Sequence, residues 1–381
     1  MTTPGRRGDI PPFLVMEVMR AAAAREVAGD DVFHLEVGQP STAAPRAVLD
    51  AAKAALEDDV LGYTLALGVT ELRQAIAEHY QSFYGVAVPA DRIVVTTGAS
   101  GAFLLAFLAA FEAGDRVALA LPGYPGYRHI LSALGNQPVS MAAGPATRFQ
   151  PTVAMIEGLD EAVQGLIVAS PSNPAGTIIP EAELARLAGY CDDHRIRLVS
   201  DEIYHGITYG TDAATAVAYS DQAIVINSFS KYFSMTGWRL GWMVVPESLM
   251  RAVESLAQNM FISPPTLSQR AALAAFDCGD EIAANIARYS RNRALLLEEL
   301  PKAGFTALAP ADGAFYIYAD VSHMTNDSQT FCQRMLDETG VAATSGVDFD
   351  PERGNAFVRF SFSGSTEDMA EAARRLRDWQ R

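Results

Sequence analysis

Short apolar runs alternate with helical segments through the middle of the sequence, and this alternation constrains the fold more than any other feature. The runs that predict strands lie at residues 92–97, 116–122, 165–170, 197–202, 223–229 and 239–245. Helical patterns separate several of them, at about residues 100–111, after Pro125 and at residues 180–194. Strands that are apolar on both faces and separated by helices are typical of a mostly parallel sheet covered by helices on both sides. We therefore predict an α/β fold.

The last third of the chain has a different pattern. A long helical pattern at about residues 280–300 is followed by two or three strand-like segments and further helices. This arrangement predicts a smaller α+β domain, and the helical segment at residues 13–28 is expected to pack with it. We predict a large domain at residues 46–284 and a small domain formed by both termini, residues 1–45 and 285–381.

Charge and cysteine content exclude several classes of partner. The 381 residues carry a formal net charge of −16. Such a surface repels polyphosphate, so no nucleic-acid partner is expected. No apolar stretch approaches the roughly 20 residues of a membrane span, and the N-terminal segment lacks the apolar core of a signal peptide. Because Cys191, Cys278 and Cys332 are widely spaced, we predict a protein of the reducing cytoplasm.

The chain has only three lysines, and the sequence around one of them does not predict an exposed side chain. Lys53 lies in a helical run and Lys302 near the end of a helical pattern, so both are expected to be solvated. Lys231 instead follows the apolar strand at residues 223–229 and precedes an aromatic segment. A lysine that is partly buried in such surroundings has a lowered pKa and a nucleophilic amine. Lys231 is therefore the main candidate for covalent chemistry.

Small and polar residues follow the predicted strands at their carboxyl ends, where open α/β sheets bind ligands. At residues 97–103 (TGASGAF), a helix begins among small residues, and this turn either binds a phosphate through backbone N–H groups or is an ordinary tight turn. Near the lysine, the hydroxyls of Ser228 and Ser230 and the guanidinium of Arg239 suit a phosphate dianion. The alternative, an exposed loop with an ion-paired arginine, is disfavoured by the aromatic residues around it.

Four further side chains suit a cofactor with an aromatic ring, and each also has a simple structural explanation. Asp201 ends a strand, where a carboxylate either pairs with a protonated pyridine nitrogen or is a helix N-cap or part of a structural ion pair. Asn173 and Tyr204 suit hydrogen bonds to a ring oxygen, although a turn and core packing would also account for them. Tyr124 suits either stacking on a ring or packing in a loop.

Arg359 lies between two apolar residues on a predicted strand. It either extends to solvent or points into a cleft, where its planar fork would bind an α-carboxylate. The histidines show no H-E-x-x-H or paired spacing, so no metal site is predicted. No G-x-S-x-G, G-x-G-x-x-G or Walker motif is present either.

Together these motifs resemble those of the class I and II aminotransferases, which have fold type I of the pyridoxal-phosphate enzymes. The motifs are SPSNPAGT (170–177), DEIY (201–204), SFSK (228–231) with an arginine eight positions after the lysine, and ADGAFY (311–316). The resemblance extends in order from about residue 37 to residue 362. It implies pyridoxal 5′-phosphate as the cofactor of the large domain. It also implies ping-pong transfer of an amino group between two small molecules, an L-amino acid and a 2-oxo acid.

The resemblance also implies a role for each candidate residue. Lys231 would carry the cofactor as a Schiff base and then move a proton, and Asp201 would pair with the pyridine nitrogen. Asn173 and Tyr204 would contact the ring oxygen, with Tyr124 stacked on the ring. The implied phosphate-binding residues are Ala99, Ser100, Ser228, Ser230 and Arg239, and the implied substrate-binding residues are Gly38, Asn173 and Arg359.

Tyr63 is similar to a tyrosine that reaches the phosphate of the neighbouring subunit, which implies a homodimer with shared active sites. Ser100 departs from some dicarboxylate-specific relatives, which carry a lysine there, so the resemblance does not imply a preference for aspartate. The apolar N-terminal residues Phe13, Leu14 and Val15 favour an uncharged or apolar substrate. A carbon–sulfur β-lyase on the same fold and a non-enzymatic, cofactor-retaining regulatory protein are the alternatives.

Overall fold

The computed structural model describes residues 5–380 and contains two main sheets with helices around them. The helices are α1 (Leu14–Ala28), α2 (Arg46–Asp58), α3 (Thr70–Tyr84), α4 (Gly98–Ala110), α5 (Pro125–Leu134), α6 (Val153–Glu157), α7 (Glu181–His194), α8 (Glu247–Met260), α9 (Thr266–Ala272), α10 (Gly279–Lys302), α11 (Ser328–Thr339) and α12 (Thr366–Asp378). The strands are β1 (Phe33–His34), β2 (Ile93–Thr96), β3 (Arg116–Leu121), β4 (Gln137–Ala142), β5 (Gly165–Ala169), β6 (Arg197–Asp201), β7 (Ile224–Ser228), β8 (Gly241–Val244), β9 (Ala307–Leu308), β10 (Tyr316–Asp320), β11 (Val341–Ala342), β12 (Thr344–Ser345) and β13 (Phe357–Ser361).

The larger sheet has seven strands in the order β2-β8-β7-β6-β5-β3-β4. Strands β3 to β7 pair in parallel, whereas β8 is antiparallel to both of its neighbours. Successive residues of β7 point to opposite faces: Val225 packs in the core that includes α3 and α7, and Ile226 in the core that includes α4 and α8. Helices therefore cover both faces, and the predicted α/β fold with a mostly parallel sheet is confirmed.

The edge strand β4 is the one strand of this sheet that the apolar runs did not predict. It pairs only with β3, and Gln137, Ser140 and Ala142 on it are exposed. An edge strand with polar residues lacks the continuous apolar run of a buried strand, so periodicity gives little signal there.

The second sheet has four antiparallel strands in the order β12-β13-β10-β9. The N-terminal strand β1 pairs in parallel with β11, and Ala22 of α1 packs on Leu336 and Ala342. Helix α10 continues without a break across residue 284, where we placed the end of the large domain. The division into two domains therefore remains a proposal.

The carboxyl ends of β2, β5, β6 and β7 meet at one edge of the larger sheet, because β2 and β7 are both antiparallel to β8. This edge faces the four-stranded sheet through Arg359 and Asn173, which are hydrogen-bonded to each other. Within residues 5–380, no helix is both long enough and apolar enough to cross a membrane.

Candidate active site

A cavity of about 650 Å³ opens where the carboxyl ends of these strands meet. Every site residue that we predicted from the sequence lines it, except Tyr63. The lining residues among them are Gly38, Ala99, Ser100, Tyr124, Asn173, Asp201, Tyr204, Ser228, Ser230, Lys231, Arg239 and Arg359. Within residues 5–380, no group of His, Cys, Asp and Glu side chains is arranged to hold a metal ion.

Lys231 lies in the turn that follows β7, and its side chain is half-buried. Its Nζ donates a 2.5 Å hydrogen bond to the carbonyl oxygen of Gly38. The pKa of Lys231 is lowered to about 8, mainly by burial and also by the positive charge of Arg359, while the negative charge of Asp201 opposes both. About one tenth of this amine is therefore neutral at pH 7, and so nucleophilic, whereas an amine with the ordinary pKa of 10.5 would be almost wholly protonated.

Asp201 is the last residue of β6, and its carboxylate is buried. The hydroxyl of Tyr127 donates a hydrogen bond to Oδ2, and the backbone N–H of Ile203 donates to Oδ1 at 3.1 Å. Burial raises the pKa of Asp201 to about 6, although both hydrogen bonds and the charge of Lys231 lower it. A cation placed next to this carboxylate would therefore offset a real desolvation cost.

Tyr127 is a site residue that the sequence reasoning missed. It lies three positions after Tyr124, in the first turn of α5, and the two rings meet edge-on with centroids 5.2 Å apart. The PGYPGY segment contains both tyrosines, and only the first was singled out. A tyrosine one helical turn along faces the same side of the helix, so the motif indicated the residue, although not its bond to Asp201.

Arg359 points into the cleft rather than to solvent, since only 3% of it is exposed. Its guanidinium lies between two aromatic rings, 4.4 Å from the centroid of Tyr316 and 4.7 Å from that of Phe349. Nη1 donates to Oδ1 of Asn173 at 2.8 Å, and Nη2 donates to the carbonyl oxygen of Glu36 at 2.5 Å. The buried Nε has no hydrogen-bond partner within the described chain, so this fork retains an unused donor.

Tyr204 and Tyr316 share a hydrogen bond of 2.6 Å between their hydroxyls, both of them buried. Tyr316 was not predicted, although it lies in the ADGAFY motif. A side chain at Gly38 would collide with the Tyr316 hydroxyl, so the chain passes close to this pair only because residue 38 is a glycine. Tyr204 of this pair also lies near Lys231, whose Nζ is 5.9 Å from the centroid of the Tyr204 ring.

The candidate phosphate-binding residues surround the start of α4. Gly98 adopts φ +74°, and a Cβ there would lie 2.6 Å from Nη2 of Arg239, so the guanidinium sits directly against the first turn. Ser228 Oγ lies 2.9 Å from Ser230 Oγ and accepts a hydrogen bond from the Ser230 N–H at 3.0 Å. Free N–H groups of a helix start, two hydroxyls and a guanidinium are the groups that an anion with several oxygens would bind.

Tyr63 lies outside the cavity. It is 82% exposed, next to Val60 at 96% and Leu65 at 66%. Exposed apolar side chains in such a group are typical of an interaction surface.

The chain is similar to known proteins over nearly its whole length. Residues 30–376 match the family model "Aminotransferase class I and II". A valine–pyruvate aminotransferase of Mycobacterium tuberculosis is 53% identical over 98% of this chain and 97% of that protein. The crystal structure of an aminotransferase from Mycobacterium tuberculosis has a TM-score of 0.98 and 52% identity, over 100% of this chain and 99% of that one. An aspartate aminotransferase from Thermus thermophilus, solved with maleate, has a TM-score of 0.93 and 30% identity, over 99% of this chain and 100% of that one.

Proposed function

The chain belongs to the class I and II aminotransferases, and on that basis we propose that it holds pyridoxal 5′-phosphate on Lys231 and uses a small apolar L-amino acid as its amino donor. The predicted family and the predicted activity, amino-group transfer, are confirmed by the comparisons. The β-lyase alternative is not favoured by them, and neither is a non-enzymatic role. The observation that carries the proposal is the convergence of Lys231, Asp201 and Arg359 on one cavity.

The residues present fit a phosphorylated pyridine aldehyde. The first turn of α4, Ser228, Ser230 and Arg239 suit its phosphate. Asp201 is a buried carboxylate without an Arg or Lys ion-pair partner in the described chain, which suits a protonated ring nitrogen. Lys231 supplies an amine with a lowered pKa for the aldehyde.

When bound, the cofactor supplies an electron sink for the pair of electrons left on the substrate Cα. Asp201 would keep a proton on the ring nitrogen, and Tyr127 would hold the carboxylate in place. Lys231 would remove the proton from the substrate Cα as a general base, which its lowered pKa permits. Arg359 would bind the α-carboxylate, and its bond to Asn173 fixes its orientation.

The donor is assigned from the cavity wall and from a relative. Val15, Met16, Phe103 and Ile130 line the cavity and are apolar. Ser100 gives the wall no positive charge for a second substrate carboxylate. The relative that is 53% identical is named a valine–pyruvate aminotransferase. We therefore propose valine, or an amino acid of similar size and polarity, as donor and pyruvate as acceptor.

Two further proposals concern the assembly and its compartment. The exposed apolar group around Tyr63 supports a homodimer in which Tyr63 completes the phosphate site of the partner subunit. The three cysteines are free and buried, which supports residence in the reducing cytoplasm.

A donor panel tests the proposed function. Purified protein with added cofactor is assayed with single amino acids and either pyruvate or 2-oxoglutarate, and the newly formed amino acid is measured. We expect valine and pyruvate to react fastest. Lys231→Ala should abolish turnover and the visible absorption band of the bound cofactor, whereas Lys302→Ala, on the surface, should change neither. A band and activity that persist in Lys231→Ala would refute the role of this lysine.

A further inference from the structure

Helix α1 is capped by a carboxylate from the other end of the chain. Its N-cap residue is Phe13, whose side chain cannot accept a hydrogen bond from the helix. Asp348 takes over this role: Oδ1 accepts from the Leu14 N–H at 3.2 Å, and Oδ2 accepts from the Val15 N–H at 3.5 Å. A negative charge at a helix start satisfies free N–H groups and complements the helix dipole.

Asp348 can fix α1 because its own backbone is firmly held. Only 4% of it is exposed. Arg128 of α5 donates to its carbonyl oxygen at 2.7 Å, and Gly123 donates from its N–H to the carbonyl oxygen of Phe349 at 3.0 Å. The ring of Phe349 lies against the guanidinium of Arg359. The capping residue Asp348 is therefore next in the chain to a residue that contacts Arg359, which we propose binds the substrate carboxylate.

The capped turn forms part of the cavity wall. Val15 and Met16 of α1 line the cavity, as does Ile130 of α5. Phe13 stacks on Tyr124, with centroids 5.8 Å apart and planes 21° apart. Any shift of this turn would move two apolar side chains relative to Tyr124, while Lys231 and Asp201 would remain in place on the larger sheet.

We propose that Asp348 is a positioning residue for substrate specificity: it holds the first turn of α1 so that Val15 and Met16 contact the substrate side chain. This inference rests on the proposed function. Asp348 itself does not line the cavity, so it acts only through α1. Valine, whose two extra methyl carbons reach this wall, depends on the cap; alanine, whose side chain is one methyl group, does not.

The test is the ratio of kcat/KM for valine to that for alanine, both measured with pyruvate. In Asp348→Asn, which is isosteric and retains one acceptor oxygen, we expect this ratio to fall about tenfold, mainly through KM for valine. The matched control is Asp327→Asn. Asp327 is the N-cap residue of α11, its Oδ1 accepts from the Thr330 N–H at 3.1 Å, and it lies outside the cavity lining. Its ratio should equal that of the wild type.

A second variant keeps the inference testable if Asp348→Asn does not fold. Val15→Ala removes part of the wall without changing the cap, and it should lower the same ratio. An unchanged ratio in either soluble variant would overturn the inference, as would an equal loss for valine and alanine. A wild-type protein that transfers no amino group from valine or alanine would instead overturn the proposed function.

Discussion

The guanidinium of Arg359 donates a 2.8 Å hydrogen bond from Nη1 to the amide oxygen of Asn173. Arg359 lies on β13 of the four-stranded sheet, and Asn173 follows β5 of the seven-stranded sheet. The bond therefore joins the two sheets across the cavity. Because the amide oxygen of Asn173 accepts this bond, its NH₂ group is left to donate to a ligand.

Replacing Arg359 by lysine keeps the charge and removes the planar fork. Lysine cannot form two parallel hydrogen bonds to a carboxylate while also bonding to Asn173 and the Glu36 carbonyl. We expect KM for the amino acid to rise about 10- to 100-fold, with a smaller change in kcat. Steady-state kinetics with one donor at varied concentration measure this. Arg334→Lys, in an exposed pair with Glu338, is the control and should leave KM unchanged.

Lys231 should be more reactive than Lys302 in the cofactor-free protein at mildly alkaline pH. Its pKa is lowered to about 8, whereas the ion pairs of Lys302 with Glu298 and Glu299 raise the pKa of that amine. Only a neutral amine attacks an electrophile, so the rate of labelling at Lys231 should rise with pH and reach half its maximum near pH 8. Peptide mass spectrometry after brief exposure to an amine-directed reagent measures both sites. Equal labelling of the two lysines at pH 8 would contradict the lowered pKa.

Tyr127→Phe should raise the pH below which cofactor binding is lost. The Tyr127 hydroxyl lowers the pKa of Asp201, which burial alone would raise further, so its loss raises that pKa above about 6. The ionised carboxylate of the cofactor-free protein then persists only at higher pH. The pH at which binding of added pyridoxal 5′-phosphate falls to half should therefore increase by about one unit. Tyr219→Phe, which removes a surface bond to Glu181, is the control. A pH profile unchanged in Tyr127→Phe would exclude this role of the hydroxyl.

Much of the fold could be predicted from the sequence because each buried parallel strand is a continuous run of apolar residues. The sequence also predicted the polar residues at the strand ends, since strand direction alone brings Asn173, Asp201 and Ser228 to one edge. The edge strand β4 was missed because its exposed polar residues interrupt such a run.

The supporting contacts of the site could not be read from local pattern. The bond from Tyr127 to Asp201 joins residues 74 positions apart, and the cap from Asp348 to Leu14 joins residues 334 positions apart. Such contacts depend on how the helices pack on the sheets. Neither hydrophobic periodicity nor a short motif predicts this packing. The two open interpretations of Arg359 were decided in the same way, by the rings of Tyr316 and Phe349 that surround it.

The role proposed for Tyr63 predicts that two inactive variants restore activity to each other. Tyr63 lies outside the cavity of its own chain and is 82% exposed, so under this proposal it acts in the site of a neighbouring chain. In a mixed dimer of Lys231→Ala and Tyr63→Ala, one site has both the lysine of one chain and the tyrosine of the other. Unfolding and refolding an equal mixture should yield about one quarter of wild-type activity, since half the dimers are mixed and each has one complete site of two.

Two controls distinguish complementation from residual activity of the single variants. Each variant refolded alone should stay below the activity of the mixture, and light scattering should give the mass of a dimer for both. Mixing Lys231→Ala with Lys302→Ala should give about half of wild-type activity, because every Lys302→Ala subunit then keeps a complete site. If the two variants lack complementation although both form dimers, Tyr63 does not reach the partner's site. A monomer that is fully active would refute the shared site itself, since the exposed apolar group at Val60, Tyr63 and Leu65 would then have no partner subunit to cover it.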